Sequence, residues 1–288
     1  MSPLQLVNLP ALMAETEGRS DVVIGLIDGP VEMSHPDLQG AKIETIASLS
    51  QAATCEVNSS EACHHGTCIA GILCAKRGSE APAICPGCTV LLRPIFCEVT
   101  TTNQPSCPEV TPTEVAIALR ETVNAGAKII NLSMGLSTPA LLDQPELKAS
   151  IDYACRKEVV LVVASGNQGR IGQVPLFNHE WVIPVAACDP DGRLEPSSNI
   201  GPSVGKRGLM APGLEIVSTS AMGGYTTSRG TNVAAPFVTG TIALLWSLMP
   251  NRSAAEMRRA ILLPGLSRKT INPPLLDAKA SWQQLNAS

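Results

Sequence analysis

Four short stretches hold the residues of this chain best suited to chemistry. Asp28 ends an apolar run at 22–27. His64 and His65 stand just ahead of Gly66. Asn167 follows Ser165 and Gly166. The segment Ser228-Arg229-Gly230-Thr231-Asn232-Val233-Ala234-Ala235-Pro236 leads into a second apolar run at 237–248. A carboxylate, an imidazole and a small-residue turn at a helix start suit acyl transfer. A hydroxyl would attack, His would take its proton, and Asp would orient the imidazole and stabilise its cation. A side-chain amide such as Asn167 would donate to the oxyanion. Each residue alone has an ordinary alternative, because Asp after a strand caps turns and Gly-Asn pairs make turns. Four of them at one edge of one sheet favour a site. The odd member is Asn232, an amide that cannot attack, at a small-residue helix start that looks built for a nucleophile.

The elements that must position these residues alternate. Runs at 22–27, 89–97, 128–132, 159–164 and 181–187 are apolar and rich in β-branched residues, as strands buried on both faces are. Pro94 marks a bulge or an edge in the second of them. Helical patterns cover 66–76, 113–125, 147–157 and 231–248. A last helix starts at Ser253, with Glu256 at capping-box spacing. Strand–helix alternation predicts an α/β fold with a mostly parallel central sheet and helices on both faces, in one domain spanning 1–288. Residues 1–20 form a lead-in and 250–288 a C-terminal helix and tail. In such sheets, ligands sit beyond the carboxyl ends of the strands, where Asp28, Ser133 and Asn167 fall.

Composition narrows the function classes. The chain has 288 residues and a net charge of −4 with both signs interspersed, so no basic surface predicts nucleic-acid binding. No run reaches the roughly 18 continuous apolar residues of a membrane span. The first residues lack a charged segment followed by an apolar one, so a cytoplasmic protein is expected. Ten cysteines are many for that compartment, and eight lie between Cys55 and Cys107. Cys85-Pro86-Gly87-Cys88 is a single CxxC without the second close pair of a zinc site; His64 could join one, but nothing in the spacing fixes it there. Disulfides tying 55–63 and 97–107 are as plausible as metal. Cys74, Cys155 and Cys188 fit equally well as free buried thiols.

The motifs at these positions resemble the subtilisin-like serine proteases, the subtilases, over about Val22 to Leu248. Ile27-Asp28-Gly29, followed by Ser34-His35-Pro36-Asp37-Leu38, resembles the catalytic-Asp segment. His65-Gly66-Thr67 with Ala70-Gly71 resembles the catalytic-His segment. Asn131-Leu132-Ser133-Met134-Gly135 is similar to the strand that pairs with substrate. Ser165-Gly166-Asn167 is similar to the oxyanion segment, Met210-Ala211-Pro212-Gly213 to the loop before the nucleophile, and Gly230-Thr231-x-x-Ala234-Ala235-Pro236 to the nucleophile segment. A finer resemblance is to the maturation proteases of cyanobactin-type peptide pathways. It rests on Ile24-Gly25-Leu26-Ile27-Asp28-Gly29-Pro30-Val31 and Arg77-Gly78-Ser79-x-Ala81-Pro82-Ala83-Ile84-Cys85-Pro86-Gly87-Cys88.

The resemblance implies a three-layer subtilisin-like fold and a triad of Asp28, His65 and the residue at 232. It implies Asn167 as oxyanion donor and a ribosomally made precursor peptide as substrate. Ser133, Met134 and Gly135 would pair with that peptide by strand addition, and 133–135 with Ala164, Ser165 and Gly166 would wall the pocket before the cut. No carboxylate cluster argues for the calcium that subtilases often carry, so no cofactor or metal is expected. No separate pro-segment is visible before Val22 in this sequence, so folding is expected not to need one in cis. Thr231 and Ser228 neighbour position 232, but neither is expected to replace the nucleophile, and Thr231 should point elsewhere at a tight turn. Cys68 should pack beneath the site, open to mercury or alkylation without being catalytic.

Asn232 departs from the family's serine. Its nitrogen lone pair is delocalised into the carbonyl, so the covalent route should be lost while the fold is kept. Three functions follow. The first is a precursor-peptide endopeptidase silenced at its nucleophile. The second is a natural pseudoprotease that binds a peptide or partner. The third is a hydrolase in which His65 activates water.

Overall fold

A computed structural model describes residues 1–46, 54–96, 98, 110–133, 144–172, 175–262 and 270–287. The apolar runs become strands of one parallel sheet: Val23–Asp28 (β1), Lys42–Thr45 (β2), Thr89–Pro94 (β3), Ile129–Leu132 (β4), Val160–Ala164 (β5), Val182–Cys188 (β6) and Leu209–Pro212 (β7). Their order is β2-β3-β1-β4-β5-β6-β7, and every neighbouring pair is parallel. β1 is flanked by β3 on one side and β4 on the other, so the direction of winding reverses at its carboxyl end. That is where an open α/β sheet leaves a crevice. Pro94 is the last residue of β3, a strand between two others, so it marks neither a bulge nor an edge.

Helices cover both faces, as expected. One face of the sheet packs against Pro10–Glu15 (α2, after the single turn Pro3–Leu6, α1), Glu61–Cys74 (α3), Thr231–Leu248 (α7), Ala254–Leu262 (α8) and Ala278–Asn286 (α9). The other packs against Pro112–Asn124 (α4) and Pro145–Arg156 (α5), with the short Pro202–Arg207 (α6) at its margin. α7 has the length and hydropathy of a membrane span, but 89% of its residues are buried and it runs through the core. Pro236 inside it has no N–H to give the carbonyl four residues back, that of Asn232. A two-stranded antiparallel hairpin, Ile216–Thr219 (β8) and Tyr225–Ser228 (β9), precedes α7.

Three expectations need correction. The helix expected from Gly66 begins at Glu61, because the Ser60 hydroxyl accepts from the Cys63 N–H and caps it. His64 and His65 therefore lie inside the helix. The helix capped by Ser253 is followed by α9, whose start Asp277 caps. The first twenty residues are more than a lead-in: Val7, Leu9 and Leu12 are fully buried. The Arg77 guanidinium fastens this segment by donating to the carbonyls of Met13 (2.7 Å) and Thr16 (3.1 Å) as well as Ala83 and Ile84.

The cysteines resolve in part. Cys55 and Cys63 form a disulfide with Cα atoms 5.6 Å apart. Cys68, Cys74, Cys85, Cys88, Cys155 and Cys188 are free thiols, while Cys97 and Cys107 lie outside the described residues. Burial pushes the Cys74 and Cys188 thiols up to about 12. Among the described residues, the group close enough to share a metal ion is Cys55, Cys63 and Glu98. The disulfide consumes both of its sulfurs. Closing a loop eight residues apart in sequence removes chain entropy from the unfolded state worth about 2.5 kcal/mol. Reduction, or Cys55→Ser, is expected to lower the melting temperature by about 5–10 °C. A calorimetric scan in which reductant leaves the transition in place would remove this cross-link from the account of stability.

Candidate active site

The site assembles at the reversal point of the sheet. Asp28 closes β1 and is fully buried. Its Oδ1 accepts from the Gly29 N–H at 2.7 Å and pairs with His65 Nδ1 at 2.5 Å. Its Oδ2 is buried without a hydrogen-bond partner. An unsatisfied buried carboxylate oxygen costs stability, and such groups concentrate where a site needs them.

Two glycines set the spacing between Asp28 and His65. A Cβ on Gly66 would lie 2.3 Å from the Pro30 carbonyl oxygen and 2.5 Å from that of Gly29. A Cβ on Gly29 would lie 2.0 Å from the Ala62 carbonyl oxygen. With both side chains missing, α3 lies backbone-to-backbone against the turn that follows β1, and His65 is delivered to the carboxylate. The Phe96 ring and the imidazole form a T-shaped pair, with centroids 6.4 Å apart.

Asn232 is the second residue of α7, behind Gly230, whose φ of +119° suits glycine. A Cβ there would also come within 2.5 Å of Asn232 Oδ1 and 2.7 Å of Asn167 Nδ2. Asn232 Nδ2 lies 2.6 Å from His65 Nε2, and its Oδ1 accepts from Asn167 Nδ2 at 3.5 Å. Asn167 is oriented from its other end. The Thr231 N–H (2.8 Å) and hydroxyl (3.0 Å) both donate to its Oδ1. A backbone N–H can only donate, so the atom facing it is the oxygen, and Nδ2 is left aimed at Asn232.

The polar chain therefore has one sense. Asn167 donates to Asn232, Asn232 donates to His65 Nε2, and His65 donates from Nδ1 to Asp28. Thr231 also accepts from the Gly166 N–H at 3.0 Å. Ser228 accepts from the Cys68 thiol at 3.4 Å. Both hydroxyls are thus engaged away from His65, which for Thr231 is what the sequence suggested. Cys68, three residues past His65 on α3, is 3% exposed, and burial pushes its thiol up against the opposing hydrogen bonds of Ser228 and Ser218.

The remaining expected residues divide. Ala164 ends β5 fully buried, and Ser165, Gly166 and Ser133 are buried beside it at the ends of β5 and β4. Met134 and Gly135 lie outside the described residues. The sequence did not show that Thr231 anchors Asn167 or that Gly29 and Gly66 act as a matched pair. Only the small-residue spacing at Asp28-Gly29 and His65-Gly66 hinted at the second.

Residues 19–265 match the subtilase family of S8 peptidases. The chain is a subtilase. It is 32% identical over 85% of its length to a thermophilic serine proteinase of Bacillus sp. (strain AK1), and spans 57% of that relative. It is 26% identical to subtilisin DY of Bacillus licheniformis, over 90% of this chain and 88% of that protein. Among solved structures it is similar to the patellamide maturation protease PatA, with 28% identity, a TM-score of 0.78, and 94% of this chain and 99% of that one covered. It is likewise similar to the prenylagaramide maturation protease PagA, with 27% identity, a TM-score of 0.80, and 96% and 98% covered. The seven-stranded sheet with helices on both faces is the subtilisin-like fold.

Burial pulls the His65 imidazole down, but the charge and hydrogen bond of Asp28, helped by Glu61, outweigh it and the net direction is up. Stability from the ion pair is therefore full below the ordinary imidazole range and fades as pH rises through the raised value. Protonation also turns Nε2 into a donor, so the Asn232 amide must rotate to present Oδ1. In this subtilase with Asn232→Ser, only neutral His65 could act as a base. The acid limb of its pH–rate profile is expected above the ordinary histidine value of about 6.5. A half-maximal rate at or below that value would show that Asp28 does not raise the imidazole.

Proposed function

We propose that this subtilase is an endopeptidase scaffold for a ribosomally made precursor peptide of the cyanobactin type, silent as written because Asn232 fills the nucleophile's place. The carrying observation is the line from Asp28 through His65 to Asn232, with contacts of 2.5 and 2.6 Å. In the active counterpart, a serine hydroxyl at 232 attacks the scissile carbonyl and passes its proton to His65 Nε2. Asp28 holds the Nδ1 proton and stabilises the cation, and Asn167 Nδ2 donates to the oxyanion. His65 then protonates the leaving amine, and water attacking the acyl-enzyme completes the cycle. In the chain as it stands, the Asn232 N–H occupies the lone pair that would take that proton. The same contact leaves His65 without a free base to activate water.

The likeness to PatA and PagA, both named as maturation proteases, supports the precursor-peptide substrate. The peptide would lie along Ser133, Met134 and Gly135, with Ala164, Ser165 and Gly166 walling its pocket. A second reading, a pseudoprotease that binds a peptide without cutting it, is favoured by one observation. Both ends of the Asn232 amide are satisfied by the surrounding site. The test is Asn232→Ser, read by mass spectrometry on a proteome-derived peptide library. Cleavage confined to the revertant supports the protease. An inert revertant that still retains peptides supports the binding module.

A further inference from the structure

Asn167 is exposed and sits between two glycines of positive φ, Gly166 (+98°) and Gly169 (+61°). Such a loop does not hold an amide in place by itself. Thr231 fixes the end of the side chain, but the backbone that carries it needs its own support. That support comes from one buried residue that plays no part in the acyl-transfer chemistry. Asn199 is 5% exposed. Its backbone N–H donates to the Gly166 carbonyl at 2.8 Å, immediately before Asn167. Its side-chain Oδ1 accepts from the Gln168 N–H (3.2 Å), immediately after Asn167, and from the Arg170 N–H (2.9 Å). Its Nδ2 donates to Gln168 Oε1 at 2.7 Å.

The grip is built into the fold on both sides. Gly166 has no Cβ to hold Asn199 away, since one would lie 2.4 Å from Asn199 Nδ2. Asn199 is tied to the sheet through its neighbour Ser198, whose hydroxyl accepts from the Ala187 N–H of β6 at 3.0 Å. The segments run on together, with the Gly169 N–H donating to the Ser197 carbonyl (2.6 Å) and the Ile200 N–H to the Arg170 carbonyl (2.9 Å). A line of hydrogen bonds thus connects β6 to the peptide units on either side of Asn167.

We infer that Asn199 is a positioning residue for the oxyanion donor, clamping the backbone around Asn167 so that Nδ2 stays aimed at position 232. This rests on the proposed protease role of Asn167. An oxyanion donor is worth about 10²–10³ in turnover, a value measured in subtilisin, and a misplacement of about 1 Å costs about a hundredfold. Loosening the clamp should therefore lower turnover without weakening substrate binding.

The experiment uses the full chain with Asn232→Ser and the best-cleaved peptide from the library. Asn199→Ala is expected to lower kcat about 10- to 100-fold with KM within about threefold. Asn199→Asp, which keeps the oxygen that accepts from Gln168 and Arg170, should recover most of the loss. With Asn167→Ala already present, adding Asn199→Ala should change little, because the group being positioned is gone. Equal losses with and without Asn167, or a raised KM at constant kcat, would overturn the inference.

A second readout does not depend on cleavage. In the unaltered chain, the side-chain NH₂ signals of Asn167 in a ¹H–¹⁵N spectrum should shift and broaden with Asn199→Ala and return with Asn199→Asp. Signals that stay in place with Asn199→Ala overturn the clamp whether or not the revertant cleaves. If Asn199→Ala does not fold, Asn199→Ser, too short to reach both amides, carries the same comparisons.

Discussion

Replacing Asn232 by serine is expected to raise peptide cleavage by about 10⁵- to 10⁶-fold. The figure follows from subtilisin, where loss of the nucleophile costs about 2 × 10⁶ in turnover and leaves only what binding and the oxyanion site supply. The rest of the machinery is already in register here. Asp28 lies 2.5 Å from His65, and Asn167 is held by two hydrogen bonds from Thr231. Serine is smaller than asparagine, so the change opens space and creates no clash. It also frees His65 Nε2 from the Asn232 N–H to accept a hydroxyl proton. Library digests by the two purified proteins decide the matter, and a revertant no faster than the parent would end the protease account.

In that revertant, Asp28→Asn should lower turnover by about 10⁴-fold, as loss of this carboxylate does in related triads. The shape of the side chain is kept, so the fold should survive. The chemistry is not, because an amide can present its NH₂ to His65 Nδ1 and drive the ring proton to Nε2, where the base must be free. The acid limb should also move down, since the Asp28 charge is what outweighs burial of the imidazole. A loss below tenfold, with the acid limb unmoved, would mean that Asp28 only fills space.

The sequence revealed the buried framework and little of its polar periphery. Strands such as Val160–Ala164 read clearly because a parallel strand covered on both faces is apolar throughout. The hairpin at 216–228 did not, because Tyr225–Ser228 is polar and partly exposed and carries no two-sided apolar signal. A helix is expected from Gly66 because small and aliphatic residues run from there to Lys76. Gly66 instead sits inside α3, where close approach to Gly29 and Pro30 requires it. Asp28, His65, Asn167 and Asn232 could be named from motif spacing. Asn199 could not, because Ser197-Ser198-Asn199 resembles any polar loop and its value lies in amides about thirty positions away that only folding brings near.

The hairpin that escaped detection has a mechanical consequence. The hydroxyls of Ser218 and Thr219 grip the carbonyls of Cys68 and Thr67 on the helix that carries His65. The other arm of the same ribbon runs through Gly230 into the helix that carries Asn232. One ribbon thus ties both rods, so a tilt of either is expected to carry its counterpart and to disturb the gap between imidazole and amide less than separate mountings would.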